Sequence, residues 1–212
     1  MVVDFKRIVV ISPHTDDGEL GAGGTIARFL GEGKEVYYVA FSGCELSVPV
    51  GLPKDILRKE CIRSTSAVGL PAERVKLLDY QVRTFPQHRQ EILEELVRIS
   101  RELQPDLVMV PSSQDMHQDH ATIYQESLRA FKRNASIWGY EHPWNNLTFT
   151  TDIFVKLNEE HVQKKLKALS EYKSQGSRGY MKESNVRSLL TARGAQLDTE
   201  YAETFELVRW IC

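Results

Sequence analysis

Apolar and polar positions alternate between two rhythms over the first hundred residues. Ile8-Val9-Val10-Ile11 is a continuous apolar run behind Lys6-Arg7, the pattern of a strand buried on both faces. Glycines and polar residues follow; then Ile26, Phe29 and Leu30 fall at helical spacing between Thr25 and Leu30, with Gly31 and Gly33 as the stop. Val36 to Phe41 is a second β-branched and aromatic run, and a helical stretch from about Lys54 to Val68 ends at Gly69. Val75 to Leu78 reads as a third strand. Gln90 to Leu103 carries Ile92, Leu93, Leu96, Val97 and Ile99 on one side, as an amphipathic helix does, and Asp106 to Val110 is a fourth strand. A helix is expected after Asp119. Beyond residue 135 the rhythm loosens: Ser136–Tyr140, Phe149–Leu157 and Phe205–Ile211 look like strands, Glu159–Tyr172 like a helix, and Ser174–Gly179 like a polar loop.

Strand and helix in turn, joined by short links, predict right-handed crossovers. The fold class is therefore α/β, a Rossmann-like doubly wound and mostly parallel sheet with helices on both faces. No repeat, low-complexity tract or linker divides the chain, so one domain over residues 1–212 is expected.

A chain of 212 residues with 42% hydrophobic positions can bury an adequate core unaided, so any cluster of metal-ligand residues calls for a chemical explanation. With 27 Lys and Arg against 29 Asp and Glu there is no basic excess, which argues against nucleic acid. Lys164, Lys165 and Lys167, among Glu159, Glu160 and Glu171, read as a solvated helix face. The three cysteines, Cys44, Cys61 and Cys212, show no paired spacing and fit free thiols in a reducing compartment. Neither a signal-peptide pattern at the N-terminus nor an apolar run near the ~20 residues of a membrane span is present, and a cytoplasmic location is expected.

Open α/β sheets bind ligands beyond the carboxyl ends of their strands. Two polar clusters stand at such ends: Ser12-Pro13-His14-Thr15-Asp16-Asp17-Gly18-Glu19 after the first strand, and Asp115-Met116-His117-Gln118-Asp119-His120 after the fourth. If strands one and four are neighbours, as in the common doubly wound orders, both clusters face one crevice. Imidazole and carboxylate together favour zinc, or a first-row ion such as iron(II), over calcium or magnesium. A catalytic zinc keeps three protein ligands and lowers the pKa of water to ~7, while a further carboxylate handles the proton. Plainer readings compete. His-x-x-His can cap the helix that follows it, and Asp-Asp before glycines can be a turn and N-cap. The glycines from Gly21 to Gly24 miss the dinucleotide-binding order and have a simpler use in close helix–sheet packing.

The first cluster resembles the His-Pro-Asp-Asp motif of the LmbE-like, or PIG-L, zinc-dependent de-N-acetylases, and the second resembles their His-x-Asp-His motif. The likeness continues in Arg58-Lys59-Glu60, Gly69-Leu70, Lys167-Ala168-Leu169, Ser174-Gln175 and Tyr201 to Phe205, nearly the whole chain. It implies His14, Asp17 and His120 as metal ligands, Asp16 as general base, His117 as oxyanion stabiliser or general acid, and Asp119 as the residue orienting a histidine. It also implies Arg58 near the substrate. Thr15 stands where the family usually has proline, a change expected to alter loop rigidity more than chemistry.

The function so implied is removal of the N-acetyl group from an N-acetylglucosamine-type sugar or conjugate, releasing acetate and an amine. Trp144, in the segment Trp138 to Asn145, is a candidate sugar-stacking residue, and Arg178 could meet a phosphate or carboxylate. The expected partner is a small amino-sugar substrate, with no nucleic acid and no membrane span; a homo-oligomer is compatible with the sequence. Two alternatives stay open: an amidase of thiol conjugates using the same metal site, and a non-catalytic sugar- or nucleotide-binding module.

Overall fold

The computed structural model describes residues 4–212. Its centre is a seven-stranded sheet: β1 (Arg7–Ser12), β2 (Glu35–Ala40), β3 (Val75–Leu77), β4 (Leu107–Pro111), β5 (Ser136–Tyr140), β6 (Ile153–Leu157) and β7 (Tyr201–Arg209), in the order β3-β2-β1-β4-β5-β7-β6. The β3-β2-β1-β4-β5 part is parallel throughout, and β7 runs against both of its neighbours. Ile8, Val9 and Val10 pair with Leu107, Val108 and Met109, so β1 and β4 are neighbours as expected. The chain leaves β1 toward β2 on one side and returns to β4 on the other. The ends of these two strands are therefore the switch point, where a doubly wound sheet opens a crevice.

Among the described residues six α-helices cover the two faces: α1 (Asp17–Gly31), α2 (Ile56–Val68), α3 (Arg89–Leu103), α4 (Gln118–Phe131), α5 (Glu159–Ser170) and α6 (Glu183–Ala195). Alternate residues of β1 point to opposite faces and feed two cores. Ile8 and Val10 join the side chains of α1, α2 and α5, whereas Val9 and Ile11 join Ile92, Leu96 and Ile99 of α3 and Ile123 and Phe131 of α4.

Four features depart from the sequence reading. The first helix starts at Asp17 rather than Thr25, because glycines at 18, 21, 23 and 24 hide its periodicity. They are there for close packing: a Cβ on Gly21 would lie 2.4 Å from the Tyr140 ring, and one on Gly24 would lie 2.4 Å from Leu157. Helix α6 has no counterpart in the sequence pattern: only Val186, Leu190 and Gly194 are buried on it, a stripe too thin to read. The strands of the last third are bounded differently, the last one starting at Tyr201 and β6 spanning only Ile153–Leu157.

The fourth departure is Lys165, which is not part of a solvated face. It is buried with Glu203, Nζ to Oε1 2.6 Å, and it also donates to the Leu20 carbonyl at 2.7 Å. Glu203 in turn accepts the backbone N–H groups of Gly24 and Thr25 at 2.9 and 2.6 Å. An ion pair thus supplies partners to backbone groups inside α1, and the glycines give it room: a Cβ on Gly23 would lie 3.0 Å from Lys165.

Candidate metal centre and active site

The loop after β1 and the loop after β4 meet as the adjacency of those strands requires. His14 Nδ1, Asp17 Oδ2 and His120 Nε2 form a nearly equilateral triangle, with edges of 3.1 Å (His14–Asp17), 3.1 Å (His14–His120) and 3.2 Å (His120–Asp17). Ligand atoms around a tetrahedral zinc with bonds of ~2.0–2.1 Å stand about 3.3 Å apart, so this donor set and its spacing fit such an ion.

Each imidazole is fixed from behind by a carboxylate, the arrangement that orients a metal-facing histidine and raises its basicity. His14 Nε2 lies 3.0 Å from Asp119 Oδ2, and His120 Nδ1 lies 2.7 Å from Asp115 Oδ2. Asp119 also accepts the backbone N–H groups of Arg83 and Phe85, which ties a third loop to the site. Asp115 received no role from the sequence, although a second metal-facing imidazole needs a partner for its other nitrogen and Asp115 lies five positions before His120.

Two other groupings of possible ligand atoms lie here, His14–His117–His120 and Asp17–His120–His142. Local hydrogen bonds weigh against both. His117 is the N-cap of α4: its Nδ1 accepts the Asp119 N–H at 3.1 Å, which leaves only Nε2 toward the cleft. The nitrogens of buried His142 face the Asp17 carbonyl at 3.1 Å and Asp115 at 3.3 Å. The capping reading of His-x-x-His is met by His117 Nδ1, and Nε2 of the same ring is left for chemistry.

Electrostatics follow from burial and from this crowding. Burial works against charge on His14 and His120, but Asp17, with Asp119 behind His14 and Asp115 behind His120, pushes them up to about 10 and about 9. Desolvation and the neighbouring Asp17 charge push Asp16 up to about 6. Burial, with His120 and His14 beside it, holds His117 down at about 4, so its imidazole is neutral at pH 7. Asp16 occupies the N-cap position of α1, yet its side chain makes no capping bond. A capping aspartate contributes ~1 kcal/mol to a helix. This one leaves its carboxylate free beside the triangle.

The groups line a cleft of about 240 Å³. His14, Thr15, Asp16, Asp17, His117 and His120 lie on it, as do Trp144, Asn145, Gln175, Arg178 and Tyr180. The segment from 138 to 145 divides: Trp138 and Tyr140 are core, while Trp144 lines the cleft, stacked on Tyr180 with ring centroids 4.3 Å apart. Arg58 lines an adjoining cavity instead, paired with Asp79 and with the Leu78 carbonyl. Thr15 is buried, and its carbonyl lies 2.9 and 2.5 Å from the hydroxyls of Tyr38 and Tyr172, which restrain the loop where proline is usual. Among the described residues, no helix is long and apolar enough to cross a membrane.

A doubly wound sheet with two His/Asp loops at its switch point defines a class, and the comparisons give the family. The family model described as PIG-L, GlcNAc-PI de-N-acetylase, matches residues 9–131, both loops included, and the chain belongs to this family. It is 30% identical over 173 residues to the uncharacterized deacetylase YaiS of Escherichia coli, covering 80% of this chain and 91% of that protein. The structure of N,N'-diacetylchitobiose deacetylase from Pyrococcus horikoshii superposes with a TM-score of 0.83 at 24% identity, over 97% of this chain and 84% of that one. The fold is also that of a protein with another name: GalB, the 4-carboxy-2-hydroxymuconate hydratase of Pseudomonas putida, matches with a TM-score of 0.75 at 17% identity, over 98% of each chain.

Proposed function

We propose that the protein is a zinc-dependent N-deacetylase that removes the acetyl group from an N-acetylglucosamine-type sugar or conjugate, releasing acetate and a free amine. The observation that carries this reading is the triangle of His14, Asp17 and His120 with the uncapped Asp16 carboxylate beside it. Zinc held there would polarise the acetamido carbonyl and make water acidic enough to attack it near neutral pH.

Asp16 takes a proton from the attacking water and returns it to the leaving nitrogen, a task suited to a carboxyl whose pKa has been raised. His117 presents Nε2–H to the cleft, since its Nδ1 is occupied by the Asp119 N–H. As a neutral donor it stabilises negative charge gathering on the carbonyl oxygen. Trp144 is stacked between His142 and Tyr180, so it presents its edge to the cleft and supports Tyr180 as the aromatic surface for the sugar ring. Iron(II) suits the same donors, so the identity of the ion is settled by loading each in turn.

The test is to strip the purified chain with chelator, reload it with zinc or iron(II), and incubate it with a panel of N-acetylated sugars. Equal amounts of acetate and primary amine are expected from at least one sugar, and none from the stripped protein. If the zinc-loaded protein released acetate from no sugar, the reading would be overturned. A thiol-conjugate amidase would instead act on the acyl-amide conjugates included as controls.

A further inference from the structure

The cleft is lined by two arginines besides the groups of the metal triangle. Asp16 and Asp17 line the cleft at the metal triangle, with Asp115 and Asp119 behind its histidines, and Arg83 and Arg178 line the same cleft. Neither arginine is paired with a carboxylate among the described residues, and these two are the arginines that line the cleft.

Arg178 is held by a neutral partner. Its Nε donates to the Gln175 side-chain oxygen at 2.8 Å, and its terminal nitrogens have no acceptor among the described residues. Gln175 is buried, and its amide nitrogen lies 3.3 Å from the Ser174 hydroxyl. Ser174 is anchored through both its backbone N–H and its hydroxyl on buried Glu60, at 3.0 and 2.5 Å. A guanidinium whose plane is fixed at Nε while its terminal fork stays free is organised for an oxyanion.

Arg83 is placed by a different device. Its backbone has φ of 71°, a region that ordinary side chains seldom adopt, and its N–H is drawn onto Asp119 Oδ2 at 2.6 Å. The carboxylate that backs His14 therefore also sets where the Arg83 side chain leaves the loop.

Resting on the deacetylase reading, we infer that Arg178, assisted by Arg83, forms a subsite for a carboxylate or phosphate carried by the substrate on the side away from its acetamido group. The metal triangle and Asp16 take the acetamido end, so a substituent elsewhere on the sugar is the part left to meet Arg178 in the same cleft. The preferred substrate is then an N-acetylated amino sugar bearing an anionic substituent.

The experiment compares kcat/KM of the zinc-loaded protein on three N-acetylglucosamine derivatives: the methyl glycoside, the carboxymethyl glycoside and the 1-phosphate. At least one anionic derivative should be preferred by about tenfold, as expected for a charge-assisted hydrogen bond, and the better of the two identifies the group. Arg178→Gln should remove most of that preference while turnover of the methyl glycoside stays within about twofold. Gln175→Leu should lower the preference in part, by freeing the guanidinium. Equal rates on all three derivatives, or an Arg178→Gln variant equally slow on the methyl glycoside, would overturn the subsite. Calorimetric binding of glucosamine 1-phosphate against methyl glucosaminide, in wild type and Arg178→Gln, tests it without turnover. If no derivative is hydrolysed yet the phosphate binds more tightly and loses that advantage in Arg178→Gln, the deacetylase reading fails and the subsite stands.

Discussion

His14 Nδ1 and His120 Nε2 stand 3.1 Å apart, although their residues are separated by 106 positions, and both face Asp17 Oδ2. Three atoms that offer lone pairs to one point repel each other unless positive charge is shared among them. Without metal that charge is protons, which is why the carboxylates push these imidazoles up to about 10 and about 9. At pH 7 this group of facing atoms therefore holds protons that an incoming ion must displace. Adding zinc to the stripped protein should release about one to two protons, read from calorimetry in buffers of different ionisation enthalpy, and affinity should weaken as pH falls. Asp17→Ala and His120→Ala should each lose the ion on elemental analysis; stoichiometric zinc in either would contradict the proposed ligand set.

Asp16 provides the sharpest separation of binding from chemistry. Asp16→Asn keeps the shape and leaves the triangle intact, so metal content should be unchanged while kcat falls by roughly 10²–10⁴, the usual contribution of a general base. The pH profile has a direction as well. A base must be unprotonated to act, and burial with Asp17 alongside lifts this carboxyl to about 6. A bound dication favours the carboxylate and moves the value down, so kcat/KM should fall on acidification with a midpoint at or below about 6. That limb should disappear from the residual activity of Asp16→Asn.

His117 is proposed to act as a neutral donor, and this has a measurable consequence. Its ring sits lower than an ordinary histidine, near 4, because it is buried beside His120 and His14, so no limb between pH 5 and 8 should belong to it. His117→Ala should reduce kcat by about 10²–10³, as loss of an oxyanion donor does elsewhere, with metal retained. It also removes the cap of α4, which contributes ~1 kcal/mol, so the unfolding midpoint should drop slightly. A variant that lost the cap but kept full kcat would reduce His117 to a structural residue.

Much of this centre was legible because its parts are local. The β1 and β4 runs announce themselves by continuous apolar residues, and the polar clusters follow them directly in sequence. What the sequence hid were groups whose purpose is met far along the chain. Lys165 among glutamates looks solvated until its partner Glu203, 38 positions later, is known to lie beneath it. Arg58 falls in the cavity beside the cleft, where Asp79 and the Leu78 carbonyl hold it. The start of α1 was obscured for a related reason: glycine is read as a helix breaker, and here a ring and an ion pair must approach the backbone closely.

That ion pair gives the last prediction. Leu20, one turn into α1 from Asp16 and Asp17, turns its carbonyl to Lys165, and the amides of Gly24 and Thr25 turn to Glu203. Removing one partner of a buried pair costs about 3–5 kcal/mol, because the other charge stays without compensation. Lys165→Met should therefore lower stability by roughly that much in urea unfolding. Gly24→Ala forces a methyl toward Leu157 and the Glu203 carboxylate, an overpacking cost of about 1–3 kcal/mol. The pair touches no residue of the proposed reaction, so Gly24→Ala that remains folded should bind zinc with the wild-type stoichiometry. A Lys165→Met protein as stable as wild type would show instead that the two backbone amides alone suffice to hold the Glu203 charge.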